Sequence, residues 1–192
     1  MDADHLPRRR AGAATLVRRR RIVARALAMA DARLQIRRFR ASDREAVWHL
    51  HNVALTTVGA HAGNGAWDDD LHAIETVYLA DGGEFLVGTL GGKLVAMGAL
   101  RRDSADTAEL KRMRVLPPYQ RRGFGRAILE ALEARAVALG YRQLWLDTTT
   151  EQTAALGLYA QAGYVETERR HDGQFEIVTM RRALDAAAAS EL

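Results

Sequence analysis

Cysteine is absent from the sequence, proline occurs three times in 192 residues, and aromatic residues make up only 6%. Without cysteine the chain has no disulfides, no thiolate metal ligands and no cysteine nucleophile. Its apolar runs fall far short of the roughly 20 residues that span a bilayer, and the arginine-interrupted N-terminus lacks the apolar core of a secretory signal. The six histidines are dispersed and form no recognisable metal-ligand pattern. We expect a cytoplasmic protein without a metal and without membrane contact.

What is present, 48% apolar and 27% charged residues, is typical of one soluble globular domain. Positive charge is concentrated at the N-terminus: residues 1–34 hold nine arginines and three aspartates, whereas the rest holds 19 basic and 21 acidic residues. This distribution disfavours a broad nucleic-acid interface. We expect a flexible arginine- and alanine-rich extension over residues 1–33, a folded domain over 34–183 and an alanine-rich tail over 184–192. The extension could also bind an acidic partner or anionic lipid, or target an organelle.

The hydrophobic periodicity from residue 34 onward predicts eleven elements of an α/β fold, a mixed sheet of about seven strands flanked by about four helices. Ser42 and Glu45 offer a capping box for the first helix, and the aspartates at 68–70 suit the positive end of a second helix that continues through Tyr78. The pattern strand, helix, strand over 108–148 implies a right-handed crossover between parallel strands. The strands are expected at 34–36, 84–90, 93–100, 108–115, 142–148, 164–168 and 175–180, the third helix at 123–139 and a short fourth one before Gly163.

The segment 115–126 joins a predicted strand to a predicted helix and has the chemistry of a phosphate-binding loop. Gly123 and Gly125 let the main chain approach a ligand closely, and the helix start leaves N–H groups unpaired. Those donors and the helix dipole favour a pyrophosphate. Further positive charge comes from Arg121, Arg122 and Arg126.

Two other phosphate-binding motifs fit this segment less well. A Walker A loop needs Gly-x-x-x-x-Gly-Lys followed by Ser or Thr, which the sequence lacks. A dinucleotide fingerprint is closer, because Asp147 lies at a predicted strand end about 20 residues downstream, where a ribose-binding acid belongs. It fails because Ile128 stands where the third glycine is required, and because the long stretch 116–122 separates the preceding strand from the glycines.

Residues 120–125, Gln-Arg-Arg-Gly-Phe-Gly, resemble the Gln/Arg-x-x-Gly-x-Gly/Ala cofactor signature of the GNAT superfamily of N-acetyltransferases, and the predicted order of elements is that family's order. The resemblance implies a GNAT-like twisted mixed sheet in the order βααβββαβαββ. It also implies an acyltransferase that uses acetyl-coenzyme A (acetyl-CoA) as co-substrate. The acetyl group would move to a primary amine by direct transfer in a ternary complex.

The same resemblance implies which residues hold acetyl-CoA. The loop would wrap its pyrophosphate with Gln120, Arg121, Arg122, Gly123, Phe124, Gly125 and Arg126. Main-chain groups would pair with the pantetheine arm and hold the thioester at Met113, Arg114 and Val115. Such an arm can be hydrogen-bonded like an extra strand where two parallel strands splay apart. A main-chain N–H of Arg114 or Val115 would stabilise the oxyanion of the transfer.

The candidate base is Glu109, which lies 11 residues before Gln120, a spacing that resembles that of the catalytic glutamate in some family members. A base or a water relay is needed because a lysine-like amine has a pKa of about 10.4. Strand periodicity places Glu109 on one face with Lys111, Met113 and Val115, so Lys111 could compete for the carboxylate. The alternative bases are His49, His51 and His61.

Tyr159 lies in a segment, 153–164, that resembles the family's Ala-x-x-Leu-Tyr-x-x-x-Gly-Phe/Tyr pattern, whose tyrosine protonates or hydrogen-bonds the departing sulfur. A phenol with an unperturbed pKa of about 10 stays protonated at pH 7 and suits that role. An aromatic residue on an amphipathic helix could instead be a core residue. The pattern departs from the family at Gln152 and Thr153, where many members carry a cofactor-contacting Asn, and at Gly157, which could permit close cofactor approach.

By the same resemblance, the acceptor site would be formed by the region 56–70 and the last hairpin. The aspartates at 68–70 could attract a cationic amine, or simply favour a helix start. Protein N-termini, lysine side chains, amino acids, polyamines and aminoglycosides all stay open as acceptors. A non-catalytic acyl-CoA-binding sensor and a nucleic-acid-associated protein acting through its basic tail are the alternative functions. A monomer or a homodimer is expected.

Overall fold

The structure, a computed structural model, describes residues 33–57, 59 and 63–184. The predicted extension over 1–33 and tail over 184–192 lie almost wholly outside these residues, and so does His61. Within the described part of the chain, no helix has the length and apolar character needed to cross a membrane.

In this part of the chain, strands and α-helices follow one another in the predicted order βααβββαβαββ, which confirms the predicted fold class. The strands are β1 Gln35–Arg38, β2 Glu84–Leu90, β3 Lys93–Arg102, β4 Thr107–Val115, β5 Gln143–Thr149, β6 Val165–Asp172 and β7 Phe175–Ala183. The helices are α1 Arg44–Thr57, α2 Asp69–His72, α3 Phe124–Ala138 and α4 Thr153–Gln161. Short 3₁₀ turns cover Ala41–Asp43, Ala66–Asp68 and Pro117–Tyr119, and a π-helical turn covers Glu75–Leu79.

The 3₁₀ turn that leads into α1 is closed by a residue outside the predicted pair. Asp43 accepts a hydrogen bond from the N–H of Arg40 at 2.9 Å and two from the Arg37 guanidinium at 2.6 and 2.7 Å. Ser42 and Glu45, the predicted capping box, are exposed. Asp43 is preferred because Arg37 of β1 supplies two charge-assisted hydrogen bonds, a long-range partner that local spacing does not reveal.

The second predicted helix is interrupted. α2 ends after four residues at His72, and the π-helical turn follows as a separate element. Leu71, Ile74 and Tyr78 are nevertheless all buried in one apolar cluster. The apolar spacing therefore predicts the buried face correctly and misses the change in hydrogen-bond pattern.

The seven strands form one sheet in the order β1-β2-β3-β4-β5-β7-β6. All neighbouring strands are antiparallel except β4 and β5, which are parallel as predicted. The parallel pairing runs only from Thr107–Gln143 to Glu109–Trp145. Beyond this point β5 continues to pair with β7 and β4 with β3, so the two parallel strands open a gap in the middle of the sheet.

Two apolar clusters cover opposite faces of the sheet, because alternate residues of β3 belong to different clusters. One cluster lies under α3 and includes Ile128, Leu132 and Leu100, all fully buried. The other lies under α1 and includes Leu50 and Met97, also fully buried. Full burial of one such side chain is worth about 1.5–3 kcal/mol, so both helices are held firmly on either side of the gap.

A β-bulge interrupts β4 beside the gap. Lys111 lies opposite Ala99 and Arg114 opposite Met97, so β4 has one more residue than β3 over this stretch. Arg112 takes up the extra residue with a left-handed backbone, φ 56°.

The bulge shifts the alternation of β4 by one residue. Leu110 before it and Met113 after it both pack in the cluster under α3. Glu109 and Arg114 therefore lie together on the opposite face. The prediction that Glu109, Met113 and Val115 share a face is thus wrong, since it assumes an unbroken period of two.

Gly98 of β3 lies opposite the bulge, where the sheet and α3 approach most closely. A β-carbon at this position would clash with the sulfur of Met113 and would come within 2.8 Å of side-chain carbons of Ile128 and Leu132. We expect Gly98→Ala to lower the free energy of unfolding by about 1–3 kcal/mol through overpacking, measured by urea denaturation. Gly157→Ala, whose β-carbon meets no protein atom within 4 Å, is the control. Equal stability of the two variants would contradict the close packing.

Candidate active site

The loop between β4 and α3 folds as a tight turn with two left-handed residues. After the 3₁₀ turn Pro117–Tyr119, Arg121 has φ 59° and Gly123 has φ 81°. Gly123 is the residue that immediately precedes α3, and glycine adopts this conformation without steric cost. The N–H of Ala127 makes the first helical bond, to the Gly123 carbonyl at 3.0 Å. The N–H groups before it therefore lie at a free helix N-terminus, where an anion is favoured.

The three arginines of the loop have different surroundings. Arg122 packs its guanidinium over the ring of Phe124, 5.0 Å from the ring centroid, and over that of Tyr119 at 5.8 Å. Arg126 donates a hydrogen bond to the side chain of Gln161 at 2.9 Å, which links the start of α3 to the end of α4. Arg121 is exposed. Positive charge thus surrounds the free helix end.

A first cavity of about 600 Å³ lies between the end of β4, this loop, α3 and α4. Its volume is that of a site for a small organic ligand. Nine of the ten predicted cofactor residues line it; the exception is Arg122, which is held against the two aromatic rings. The lining residues from the predicted set are Met113, Arg114, Val115, Gln120, Arg121, Gly123, Phe124, Gly125 and Arg126.

The edge of β4 beside this cavity carries main-chain groups that lie outside the β3 ladder. The N–H of Leu116 donates to the Val95 carbonyl of β3 at 2.9 Å. Strand alternation therefore turns the main-chain groups of Met113 and Val115 away from β3 and into the gap, whereas those of Arg114 face β3. Of the two predicted oxyanion donors, the N–H of Val115 is the one with access to the gap.

Side chains of the same segment cap both carbonyls on this edge. The Met113 carbonyl accepts a hydrogen bond from Nη1 of Arg114 at 2.8 Å, and the Val115 carbonyl accepts one from Nε2 of Gln120 at 3.1 Å. The edge thus faces the gap as a strand without a neighbouring strand, and the predicted pairing with a pantetheine arm would have to replace the two side-chain bonds to its carbonyls.

A second cavity of about 340 Å³ lies on the other side of the gap. It is lined by residues of β4 and β5 and by Trp67 and Ile177. Four residues line both cavities, and they mark the junction at which two ligands could meet: Met113, Arg114, Gln152 and Tyr159.

Tyr159 of α4 is buried at this junction, with 5% of its surface exposed. Burial raises the pKa of its hydroxyl to about 12, and the nearby charge of Arg114 opposes part of that increase. The hydroxyl is therefore protonated at neutral pH and can donate a hydrogen bond. The structure brings Tyr159 to the wall of both cavities, where the predicted role would require it.

Glu109 lies in the wall of the second cavity and is 4% exposed. Its Oε1 accepts a hydrogen bond from Nζ of Lys111 at 2.8 Å, and its Oε2 lies 2.5 Å from Nη2 of Arg101 in an ion pair without hydrogen-bond geometry. The predicted competition by Lys111 is therefore present. The carboxylate belongs to the second cavity and not to the first, where most of the predicted cofactor residues lie.

The two described histidines among the alternative bases do not line either cavity. His49 is exposed, whereas His51 is 1% exposed and its Nε2 lies 3.1 Å from Oδ1 of Asp68. Burial, together with the charges of Arg114 and Arg112, lowers the pKa of His51 to about 4. His51 is thus a neutral, packed side chain at pH 7.

Two of the predicted acceptor-recognising aspartates bind Arg112 instead. Nε of Arg112 donates to Asp70 at 2.8 Å and Nη1 to Asp68 at 3.1 Å, while Nη2 bonds both Asp70 and the Trp67 carbonyl. The Tyr78 hydroxyl also donates to Asp70. These groups fasten the segment before α2 to the bulge of β4, so Asp68 and Asp70 are engaged within the protein, and neither of them lines a cavity.

Thr148, for which no site role was predicted, lines the second cavity together with Trp67 of the predicted acceptor region 56–70. Asp147, weighed earlier only as a ribose-binding acid, also lies there and is bonded to Arg170 at 2.5 Å and to the Thr179 hydroxyl at 2.6 Å. No local motif marks these residues, because the sheet order brings them together from distant elements. Within the described chain, no cluster of three or more histidine, aspartate or glutamate residues is arranged to hold a metal.

The depressed pKa of His51 has a consequence for stability. The pKa of His51 is about 4 in the folded chain and lies below the ordinary value of 6.5. Between these two values the unfolded chain binds a proton at this residue and the folded chain does not. The free energy of unfolding therefore falls as the pH decreases from 6.5 towards 4. We expect wild type to lose about 1–2 kcal/mol more unfolding free energy than His51→Gln between pH 7 and pH 5. Urea denaturation measures this, with exposed His49→Gln as control. Parallel pH profiles for His51→Gln and wild type would contradict the assignment.

Comparison with known proteins agrees with this geometry. The model of the Acetyltransferase (GNAT) family matches residues 44–164. The [ribosomal protein bS18]-alanine N-acetyltransferase of Escherichia coli K12 is 37% identical over 98 residues, which cover 48% of this chain and 66% of that enzyme, just under two thirds of its length. An aminoglycoside N(6')-acetyltransferase type 1 from Stenotrophomonas maltophilia is 30% identical over 117 residues, covering 55% of this chain and 76% of that protein.

Solved structures show the same fold. The crystal structure of the ribosomal-protein-S18-alanine N-acetyltransferase from Escherichia coli has a TM-score of 0.65 and 25% identity, covering 79% of this chain and 94% of that one. YncA from Salmonella typhimurium, solved with its cofactor acetyl-CoA, also has a TM-score of 0.65, with 20% identity over 79% of this chain and 94% of that one. The resemblance drawn from residues 120–125 is confirmed: the chain belongs to the GNAT family of acetyltransferases.

Proposed function

We propose that this chain transfers the acetyl group of acetyl-CoA to a primary amine by direct transfer in a ternary complex. The observation that carries the proposal is the junction of the two cavities at Tyr159, in the gap between β4 and β5. One cavity has the features of a donor site and the other is free for an acceptor. Similarity to an alanine N-acetyltransferase and to an aminoglycoside acetyltransferase supports a primary amine as acceptor.

The first cavity fits acetyl-CoA in three respects. The free N-terminus of α3 and the arginines around it suit a pyrophosphate. The main-chain groups of Met113 and Val115 face the gap and suit the amides of the pantetheine arm. The volume of about 600 Å³ suits a ligand of this kind. Gln120, Arg121, Gly123, Phe124, Gly125 and Arg126 would hold the pyrophosphate end, with Arg122 beside them.

When bound, acetyl-CoA supplies a thioester, whose carbonyl carbon is open to attack by a neutral amine. Tyr159, protonated and buried at the junction, would donate a hydrogen bond to the departing sulfur. The N–H of Val115 would donate to the oxygen on which negative charge develops. Both groups are fixed by secondary structure, so they require little reorganisation during the reaction.

Glu109 remains our proposed base. Its place in the wall of the second cavity supports the role, since the amine would enter there. Lys111 and Arg101 form ion pairs with the carboxylate and would compete with the amine for it. A water relay is the alternative, and the measurement below separates the two. A cytoplasmic location and the oligomeric state, monomer or homodimer, stay predictions.

A non-catalytic acyl-CoA-binding sensor is the second candidate. It would need only the first cavity, whereas the chain also has the second cavity and a buried tyrosine at the junction. The transferase is therefore the better-supported proposal. A sensor would bind acetyl-CoA and release no thiol with any amine.

We expect Tyr159→Phe to lower kcat by about 10²-fold or more, since it removes the proton donor for the leaving thiolate, with the Kd for acetyl-CoA changed less than about threefold. Glu109→Gln should lower kcat to a similar extent if the carboxylate is the base, and little if water relays the proton. Release of free thiol from acetyl-CoA over a panel of amines measures both.

Tyr164→Phe is the matched control for this experiment, because Tyr164 is buried 5.7 Å from the Tyr159 ring, measured between centroids, and lines neither cavity. Amine-dependent thiol release that survives Tyr159→Phe unchanged would remove Tyr159 from the mechanism. Cofactor binding without release from any amine would favour the sensor.

Gly157 of α4 lines the first cavity, and a β-carbon there would meet no protein atom within 4 Å. Its side-chain position is therefore free for ligand and not needed for packing. We expect Gly157→Leu to raise the Kd for acetyl-CoA by about tenfold or more while leaving the unfolding free energy no lower, because leucine has the higher helix propensity. Calorimetric titration and urea denaturation measure the two quantities. Ala160→Leu, exposed on the same helix and away from both cavities, should bind like wild type.

A further inference from the structure

The second cavity has one charged side chain without an ion-pair partner. Every other charged residue in its wall forms an ion pair with a residue that the structure describes. The pairs are Glu109 with Lys111 and Arg101, Arg112 with Asp68 and Asp70, and Asp147 with Arg170. The remaining charge is that of Arg114, which is also one of the four residues shared with the first cavity.

Arg114 lies deep in the protein but keeps part of its surface accessible. Its Nη1 donates to the Met113 carbonyl at 2.8 Å, and its Nε is buried without a hydrogen-bond partner. Over the described residues, no carboxylate lies within ion-pair distance of its guanidinium. Burial lowers the pKa of Arg114 to about 10, so the side chain keeps its charge at neutral pH.

A buried cation of this kind is costly. Removing a charge from water without a partner is unfavourable by several kcal/mol, and Asp68, the carboxylate whose charge acts most strongly on Arg114, is already engaged by Arg112 and His51. An anionic group entering from the second cavity would offset that cost. An anionic group bound to Arg114 would lie beside Tyr159 and the gap.

We infer that Arg114 binds a carboxylate carried by the acceptor, and hence that the acceptor is an amine with a carboxylate close to its amino group, as in an amino acid. This rests on the proposed transferase function. The second cavity has no unpaired carboxylate to neutralise additional amino groups. Polyamines and other polycationic amines therefore fit the cavity poorly, whereas an amino acid carries the carboxylate that would pair with Arg114.

The test compares L-amino acids with their primary amides as acceptors, in wild type and in Arg114→Gln. Thiol release in wild type should be about tenfold or more faster in kcat/KM for the acid than for the matching amide. Arg114→Gln should abolish this preference by raising KM for the acid alone, and Arg114→Lys should restore part of it. Arg181→Gln, exposed and outside both cavities, is the matched control and should keep the preference.

Two outcomes would overturn the inference. The first is equal use of acids and amides, or preference for diamines, by wild type. The second is a fall in kcat by the same factor for acid and amide in Arg114→Gln. That result would indicate that Arg114 stabilises the negative charge that develops during the transfer. Urea denaturation checks that Arg114→Gln still folds. If Arg114 is a cation without a partner, the variant should keep the free energy of unfolding of wild type, whereas a structural role predicts a decrease.

A binding measurement separates this inference from the proposed function. Calorimetric titration of N-acetyl-L-amino acids and their amides, in the presence of coenzyme A, requires no catalysis. Tighter binding of the acids by about tenfold, lost in Arg114→Gln, would support the carboxylate site even if no amine were acetylated, in which case the transferase proposal alone fails. Equal binding of acids and amides would refute the carboxylate site even in an active enzyme.

Discussion

The site depends on one buried ionic contact, that of Arg112 with Asp68 and Asp70. A left-handed backbone at a non-glycine residue costs about 1–3 kcal/mol and persists only where surrounding structure compensates. The two aspartates and the Trp67 carbonyl provide that compensation at φ 56°. Because Arg112 holds the bulge, Glu109 and Arg114 share the face of the second cavity, and Met113 turns to α3. The same contact fixes the segment before α2, so Trp67 and the residues of β4 that line the second cavity are positioned together.

The gap in the sheet lies where β4 and β5 diverge, because each follows its other neighbour. β7 inserts between β5 and β6 and pairs with β5 along its whole length, whereas β4 follows β3. Only Thr107 to Glu109 of β4 can then pair with β5. The edge of β4 is thus left with polar main-chain groups that need partners. Tyr159 of α4 is one of the four residues that line both cavities, so the edge of β4 and the two cavities meet beside it.

Local sequence features predicted much of this arrangement. Periodicity gave the order of elements, the glycine at 123 indicated an unusual backbone conformation, and the loop and tyrosine patterns identified the family. The misses share one cause, which is long-range pairing. Asp43 stabilises the turn before α1 with the help of Arg37 from β1, and the bulge at Arg112 depends on aspartates more than 40 residues earlier. Asp147 and Thr148 reach the second cavity only through the sheet order.

The side chains that cap the edge of β4 would also couple the binding of the two proposed substrates. Arg114 and Gln120 hold the Met113 and Val115 carbonyls that a pantetheine arm would claim. Each bond to the arm would replace an existing one, so net affinity for the donor has to come mainly from its pyrophosphate and its buried surface. Displacement would also release Nη1 of Arg114 towards the second cavity. Donor and acceptor affinities would then be thermodynamically linked, so that each substrate binds more tightly in the presence of the other.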